Sequence, residues 1–192
     1  MLSIVWDVDD VLNDLTREWF ERAWLPANPA CRLSYLDLTD NPPYSLLKVS
    51  LDEYLASLDA FRLANQMKDL SPVGEARKWF EQYGSKYRHI ALTAVPLQCA
   101  SASAGWVITH FGQWIRSFHF IPSRRTGESL PTYDLDKADF LRSWFAEAVL
   151  VDDREENVSA AREGGFRAWL MPRPWNSSNQ NISDTFGELS RL

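Results

Sequence analysis

Five short runs of apolar residues alternate along the chain with segments whose apolar positions recur at helical spacing. The first run, residues 2–6, is followed directly by the acidic sequence DVDD, which predicts a buried strand that ends in carboxylates. Four further strands are predicted at residues 89–92, 118–121, 149–151 and 168–171. Strands that alternate with helices predict an α/β fold with a doubly wound, Rossmann-like parallel sheet of five strands, which binds ligands at its carboxyl edge.

The helices predicted around these strands carry start and stop signals. Residues 14–24 place their apolar side chains on one face of a helix. Ser71 and Pro72 predict the start of another helix, with proline at the first helical position, and Gly84 predicts its end. The remaining helices are predicted to end near Gly112, to span residues 135–145 and 157–163, and to begin after Ser183.

The segment after the first helix differs from the rest because it contains no predicted strand. Its sequence NPPYS is a proline-rich break, and Ser50 and Glu53 form a capping-box pattern in front of an apolar run. We therefore expect an α/β core domain of residues 1–13 and 71–192. A small helical cap of residues 14–70 is expected as an insertion after the first strand.

Composition restricts the partners of the protein. Its 192 residues carry a formal net charge of −6, which disfavours binding to polymeric nucleic acid, because that requires clustered Lys and Arg. A small phosphorylated ligand needs only a few local cations. No stretch has the length and hydropathy of a membrane span and the N-terminus lacks a signal-peptide pattern, so we expect no membrane partner and a cytoplasmic location. Cys31 and Cys99 form neither a metal-ligand pattern nor a disulfide framework.

Polar residues follow three of the predicted strands. Asp7 and Asp9 follow the first, Thr93 the second, and Asp152 and Asp153 the fourth. Because parallel strands present their carboxyl ends at one edge, we expect these side chains to lie close together. Carboxylates so close repel each other, and desolvation adds to the cost. A hard divalent cation such as Mg²⁺, which prefers oxygen ligands, would offset both.

Lys137 is the candidate cationic side chain of this site. After Lys86 it is the only lysine, and it lies at the start of the helix that leads into the fourth strand. From there it could reach a phosphate as a point charge. Arg124 or Arg125 in the preceding loop could take this role instead, in which case Lys137 is an ordinary surface lysine.

The order DVDDVL, LT, Lys and VLVDD resembles the four motifs of the haloacid dehalogenase (HAD) superfamily. DVDDVL matches the first motif, Thr93 the second, Lys137 the third and the Asp152–Asp153 pair the fourth, in order along the whole chain. The predicted cap stands where one class of this superfamily inserts its own. The resemblance implies a phosphatase in which Thr93 and Lys137 hold the phosphoryl oxygens.

The resemblance also implies roles for the aspartates. Asp7 would be the nucleophile that forms an aspartyl phosphate, and Asp9 would protonate the leaving alcohol and then activate water. Asp7, the backbone carbonyl of Asp9, and Asp152 would bind Mg²⁺. Asp153 is expected to accept hydrogen bonds behind these ligands. Asp10 occupies a position where this superfamily often has Gly, which adds a charge near the metal.

A narrower resemblance concerns the substrate. The sequences VDDREEN, PRPWN, WVITHFG and LSPVGEARKW are similar to the 5'(3')-deoxyribonucleotidase branch, which implies a nucleoside monophosphate substrate, whereas the loop of residues 122–136 does not match that branch. Five aromatic residues in or beside the cap could stack on a base or could simply pack the cap: Trp19, Phe20, Trp24, Tyr44 and Phe61. The alternatives are a phosphatase of sugar phosphates or other small phosphomonoesters, and a non-catalytic nucleotide-binding module.

Overall fold

A single five-stranded sheet organises the chain. The computed structural model describes residues 1–64, 67 and 69–192. The strands are β1 (Ser3–Trp6), β2 (Arg88–Val95), β3 (Ile115–Pro122), β4 (Ala148–Asp152) and β5 (Arg167–Leu170). They pair in the order β3-β2-β1-β4-β5, and every pair is parallel. The α/β class and the five-stranded parallel sheet are thus confirmed. β2 runs further than predicted, so Thr93 lies within the strand.

Helices flank the sheet and follow the predicted alternation. Helix α1 begins as an α-helix over Leu15–Trp19, continues as a π-helix over Phe20–Trp24 and ends with a turn over Leu25–Ala27. The other helices are α2 (Leu51–Leu63), α3 (Gly74–Tyr83), α4 (Leu97–Phe111), α5 (Lys137–Trp144), α6 (Glu155–Glu163) and α7 (Ile182–Leu189). No helix of the described residues is long and apolar enough to cross a membrane.

The chain leaves the sheet and returns to it at adjacent points. Asn13 and Pro72 form an antiparallel bridge, and the Val73 amide donates a 2.9 Å hydrogen bond to the Leu12 carbonyl oxygen. The prediction that Pro72 occupies the first helical position was therefore wrong, because α3 begins at Gly74. Pro72 has no N–H to donate, so it fits a bridge in which its neighbour supplies the donor.

The segment between these two points is helical or irregular throughout its described residues. The predicted capping box starts α2: the Glu53 amide donates to Ser50 Oγ at 3.2 Å, and the Ser50 amide donates to Glu53 Oε2 at 2.8 Å. Trp19 packs edge-on against Tyr54 with ring centroids 5.2 Å apart, which joins α1 to α2. Both side chains belong to the same buried hydrophobic cluster as Trp6 of β1, so the segment and the sheet share one core.

A hydrogen-bonded histidine lies in the core beside β1. Trp6 Nε1 donates to His89 Nδ1 at 3.0 Å, and His89 Nε2 lies 2.8 Å from the Gly84 carbonyl oxygen. The Phe80 ring packs against the imidazole with centroids 4.8 Å apart. An Nδ1 that accepts a hydrogen bond belongs to a neutral ring. Burial lowers the pKa of His89 to about 4, which keeps the ring neutral.

We predict that His89 makes the protein less stable as the pH falls from about 6.5 to about 4. In the unfolded chain His89 binds a proton near its ordinary pKa of 6.5, whereas in the folded protein it does so only near 4. The unfolded state therefore binds more protons in this window, and acidification favours it, by up to roughly 3 kcal/mol.

The matched variant is His89→Gln, which cannot titrate. Urea denaturation at about pH 7 and about pH 4.5 should show that the wild type loses roughly 2 kcal/mol more of its free energy of unfolding than the variant does. An equal loss in both proteins would contradict the assignment of a neutral buried ring.

Candidate active site

Three buried carboxylates meet where β1 and β4 end. Asp7 directly follows β1, and its amide donates to the Val151 carbonyl oxygen at 2.9 Å. Asp152 is the last residue of β4, and Asp153 follows it. Each of the three aspartates offers one oxygen within 4.8 Å of the others, and all three are buried. The parallel pairing of β1 with β4 brings these side chains together, as the sequence predicts.

Lys137 lies among these carboxylates. Its Nζ is 2.6 Å from Asp7 Oδ2 and 2.6 Å from Asp152 Oδ2, and its side chain is only 3% exposed. It is the first residue of α5, whose N-cap residue Asp136 accepts a 2.7 Å hydrogen bond from the Asp139 amide. Burial lowers the pKa of Lys137, but the two carboxylates outweigh that effect and raise it above its ordinary value. Lys137 is therefore a charged, buried group and not a surface lysine.

The two arginines considered as alternatives to Lys137 lie elsewhere. Arg124 donates to the Leu130 carbonyl oxygen at 2.9 Å, and Arg125 pairs with Asp59 of α2. Neither side chain contacts the three carboxylates, so of these three candidates Lys137 is the one beside Asp7.

The charges of this cluster are not balanced by Lys137 alone. Burial raises the pKa of Asp7 well above its ordinary value, and the charges of Asp152 and Asp153 raise it further, although Lys137 opposes them. Burial and Asp152 raise the pKa of Asp153 to about 7. Three clustered carboxylates, of which only Asp7 and Asp152 contact Lys137, fit a hard divalent cation such as Mg²⁺, which prefers oxygen ligands. The residues present therefore suit the metal that the sequence predicts.

Asp9 faces the same cavity but makes different contacts. Its Oδ2 accepts a 2.8 Å hydrogen bond from Arg62 Nη2, and its Oδ1 accepts one of 3.4 Å from Asn13 Nδ2. Its carboxylate is not part of the three-aspartate cluster. Arg62 was missed by the sequence analysis, because it lies on α2, 53 residues away from Asp9.

Asp10 is directed toward the start of α1. It has a φ of 60°, a left-handed conformation that Asp tolerates better than most residues and Gly better still. One carboxylate oxygen accepts from the Thr16 amide at 3.0 Å, and the other accepts from the Thr16 hydroxyl. Burial raises the pKa of Asp10 to about 6. The side chain thus anchors the loop after β1, while its charge raises the pKa of Asp153.

Side chains of the PRPWN sequence, residues 172–176, donate hydrogen bonds to the loops that carry Asp10 and Asp153. Arg173 Nε donates to the Asp10 carbonyl oxygen at 2.6 Å. Trp175 Nε1 donates to Asp153 Oδ2 at 2.8 Å, and Asn176 Nδ2 donates to the Asp153 carbonyl oxygen at 2.8 Å. These contacts hold both acidic loops in place. Asp153 accepts a hydrogen bond as expected, yet its carboxylate also belongs to the cluster.

One cavity of about 270 Å³ joins the predicted residues to α2. Asp7, Asp9, Thr93, Lys137 and Asp153 line it, whereas Asp152 is fully buried beneath Lys137. The side chains that α2 contributes are Tyr54, Leu58 and Arg62. The cavity can therefore enclose a small ligand between the carboxylates and the helical segment.

A second cavity of about 360 Å³ adjoins the first. Both are lined by Asn41 and Arg154, and the second is also lined by Tyr44 and Trp175. Of the five aromatic residues proposed for base stacking, only Tyr44 lines either cavity. The other four are buried in the hydrophobic cluster, so the packing alternative holds for them: Trp19, Phe20, Trp24 and Phe61.

Comparisons with known proteins agree on the fold. No protein-family model and no curated protein match the chain. Among solved structures, a predicted phosphatase from Clostridium acetobutylicum matches with a TM-score of 0.63 and 11% identity, over 100% of this chain and 99% of that one. A HAD family hydrolase from Deinococcus radiodurans, with bound phosphate and sodium, matches with a TM-score of 0.57 and 14% identity, over 98% and 86%.

A third matched structure holds magnesium. It is a Bacillus subtilis protein named as a HAD-hydrolase, with a TM-score of 0.59 and 12% identity over 99% of this chain and 97% of that one. None of the three is named as a nucleotidase. At such identities the likeness establishes the fold alone: the chain has the α/β fold of HAD-type hydrolases.

We predict that Mg²⁺ raises the melting temperature of the protein through the three-aspartate cluster. A cation that binds only the folded state stabilises it by about 2.7 kcal/mol at a hundredfold excess over its dissociation constant. Thermal denaturation with increasing MgCl₂ should show this rise in the wild type. In Asp152→Asn, which removes one charge of the cluster, the same rise should require at least about tenfold more Mg²⁺.

The control is Glu163→Gln, which removes an exposed acid on α6. It should respond to Mg²⁺ as the wild type does. A wild type that does not respond, or an Asp152→Asn variant that responds equally, would contradict a metal site at this cluster.

Proposed function

We propose that the protein is a Mg²⁺-dependent phosphomonoester hydrolase that transfers the phosphoryl group to Asp7. The observation that carries this proposal is the contact between Asp7 Oδ2 and Lys137 Nζ, 2.6 Å apart in a cavity that Asp9 and Thr93 also line. A nucleophilic carboxylate next to a fixed ammonium suits the attack on a phosphorus atom whose oxygens need a cation.

The proposed reaction has two steps. An Asp7 oxygen attacks phosphorus, the bond to the leaving alcohol breaks, and Asp9 gives that alcohol a proton. Asp9 then takes a proton from the water that attacks the aspartyl phosphate, which releases phosphate and restores Asp7. Lys137 and the Thr93 hydroxyl hold the phosphoryl oxygens in both steps. Mg²⁺, held by Asp7, Asp152 and the backbone carbonyl of Asp9, would supply further positive charge at the phosphoryl group.

Residues 14–70 are proposed to act as a cap. Support comes from α2, which places Tyr54, Leu58 and Arg62 on the wall of the cavity. Tyr54 and Leu58 in this position would exclude water and contact the leaving group. The side chain of Asp9 in the cavity argues against a non-catalytic binding module, because binding alone does not require a second acid.

The proposed substrate is a nucleoside monophosphate, deoxy forms included. With the phosphoryl group at Asp7, the leaving group would extend past Asn41 and Arg154 into the adjoining cavity. There Tyr44 and Trp175 offer aromatic surface to a planar base. The second candidate is a sugar phosphate, which is favoured by the polar wall of the first cavity, where Asn41, Arg62 and Asn157 could bind hydroxyl groups.

The test is phosphate release from a panel of nucleoside monophosphates and glucose 6-phosphate. In the presence of Mg²⁺ we expect hydrolysis with a higher kcat/KM for the nucleotides than for glucose 6-phosphate. Chelation of Mg²⁺ should stop this hydrolysis, and the Asp7→Asn variant should show none. Tyr44→Ala should lower kcat/KM for nucleotides about tenfold, since base stacking contributes about 1–3 kcal/mol, and should change glucose 6-phosphate little. Tyr133→Ala, which removes an exposed tyrosine that lines neither cavity, is the control.

Two results would count against this account in different ways. Equal or better hydrolysis of glucose 6-phosphate would reject the nucleotide substrate and leave the phosphatase chemistry. Hydrolysis by Asp7→Asn at the wild-type rate would reject the chemistry itself.

A further inference from the structure

A chain of four alternating charges connects Asp9 to the loop before α5. Arg62 Nη2 lies 2.8 Å from Asp9 Oδ2, and Arg62 Nη1 lies 3.2 Å from Asp59 Oδ1. Arg125 then holds Asp59 with two bonds, from Nε to Oδ2 at 2.6 Å and from Nη2 to Oδ1 at 2.8 Å. The charges therefore alternate from the loop after β1, through α2, to the loop between β3 and α5.

The middle of this chain is buried and anchored. Asp59 and Arg62 are 4% and 8% exposed. Arg125 is fixed in turn, because its Nη1 donates to the Ser123 carbonyl oxygen at 2.9 Å and its amide donates to Glu128 Oε2 at 2.8 Å. A buried ion pair with a forked contact has a defined geometry, because an arginine presents its donors in a rigid plane. Arg62 therefore cannot move freely beside Asp9.

Asp9 is held at both of its carboxylate oxygens. Arg62 binds Oδ2, and Asn13 Nδ2 contacts Oδ1 at 3.4 Å. The short contact with Arg62 fixes Oδ2 and thereby favours one orientation of the carboxyl group in the cavity that it lines. A group that passes a proton to a leaving oxygen depends on such placement, because the transfer needs hydrogen-bond distance.

We propose that Arg62 is a positioning residue that orients the Asp9 carboxyl group toward the leaving-group oxygen, and that Asp59 and Arg125 fix Arg62 for this task. This inference rests on the proposed function, since it needs Asp9 as the proton donor. It also assigns a role to the loop of residues 122–136. That loop both precedes Lys137 and anchors Arg62 through Arg125.

The test compares phenyl phosphate with p-nitrophenyl phosphate. The two esters have similar shapes, but phenolate leaves poorly without a proton, whereas p-nitrophenolate needs little help. Their kcat/KM values report only steps up to alcohol release, so the later hydrolysis of the aspartyl phosphate does not enter. Arg62→Gln should lower kcat/KM for phenyl phosphate by about tenfold to a hundredfold and that for p-nitrophenyl phosphate by less than about threefold.

Three further variants define the pattern. Asp9→Asn should cause the largest selective decrease in kcat/KM for phenyl phosphate. Asp59→Asn should cause a smaller selective decrease than Arg62→Gln does. The matched control is Arg142→Gln, because Arg142 also pairs with an aspartate three residues earlier on a helix, Asp139 at 3.3 Å, but is half-exposed. It should leave the ratio of the two esters unchanged.

The proposal would be overturned if Arg62→Gln lowered kcat/KM equally for both esters, or lowered it for neither. If circular dichroism shows that Arg62→Gln does not fold, Arg62→Lys replaces it. A single ammonium keeps the charge but cannot contact Asp9 and Asp59 in the way that the two Nη atoms of Arg62 do. The same selective decrease in kcat/KM for phenyl phosphate is therefore expected. An unchanged ratio of kcat/KM for the two esters would overturn the proposal. Activity of Asp7→Asn toward p-nitrophenyl phosphate would instead reject the proposed function, whatever Arg62 does.

Discussion

Repulsion among three buried carboxylates is the constraint on which the rest of the site depends. Asp7 and Asp152 come together because β1 and β4 are parallel neighbours, with Trp6 opposite Val151. Such a cluster is unfavourable by itself, since burial and like charge both oppose ionisation. Lys137 offsets part of the charge, and its position at the start of α5 follows from the loop that brings the chain back to the carboxyl edge.

Hydrogen bonds from distant parts of the chain hold the acidic loops in place. The segment after β5 contributes Arg173, Trp175 and Asn176, which hold the loops of Asp10 and Asp153 by hydrogen bonds. On the opposite side α2 supplies Arg62, which pairs with Asp9. Each acidic loop therefore has its own support from a distant part of the chain. These contacts give the carboxylates defined positions before any ligand binds.

The sequence predicted the residues that the sheet itself brings together. Asp7, Thr93, Lys137 and Asp153 line one cavity. Strands that alternate with helices pair in parallel, so their carboxyl ends lie at the same edge of the sheet. Arg62 was not predictable in the same way, since its contact with Asp9 depends on how α2 packs across the site, and no local pattern encodes that packing.

The aromatic residues illustrate the same limit. Trp19 and Phe61 are buried in the core, whereas Tyr44 lines a cavity. Composition alone does not distinguish a side chain that packs from one that binds. Pro72 shows a related ambiguity, because a proline suits both the first turn of a helix and a bridge that needs no donor.

Trapping the proposed aspartyl phosphate is the sharpest test of Asp7 as the phosphoryl acceptor. The protein is quenched in acid during incubation with a phosphomonoester, digested and mapped by mass spectrometry. We predict that the peptide containing Asp7 gains the mass of one phosphoryl group, and that this gain is absent in Asp7→Asn. A phosphoryl group on another residue would contradict this role of Asp7, as would turnover by the wild type without any phosphorylated peptide.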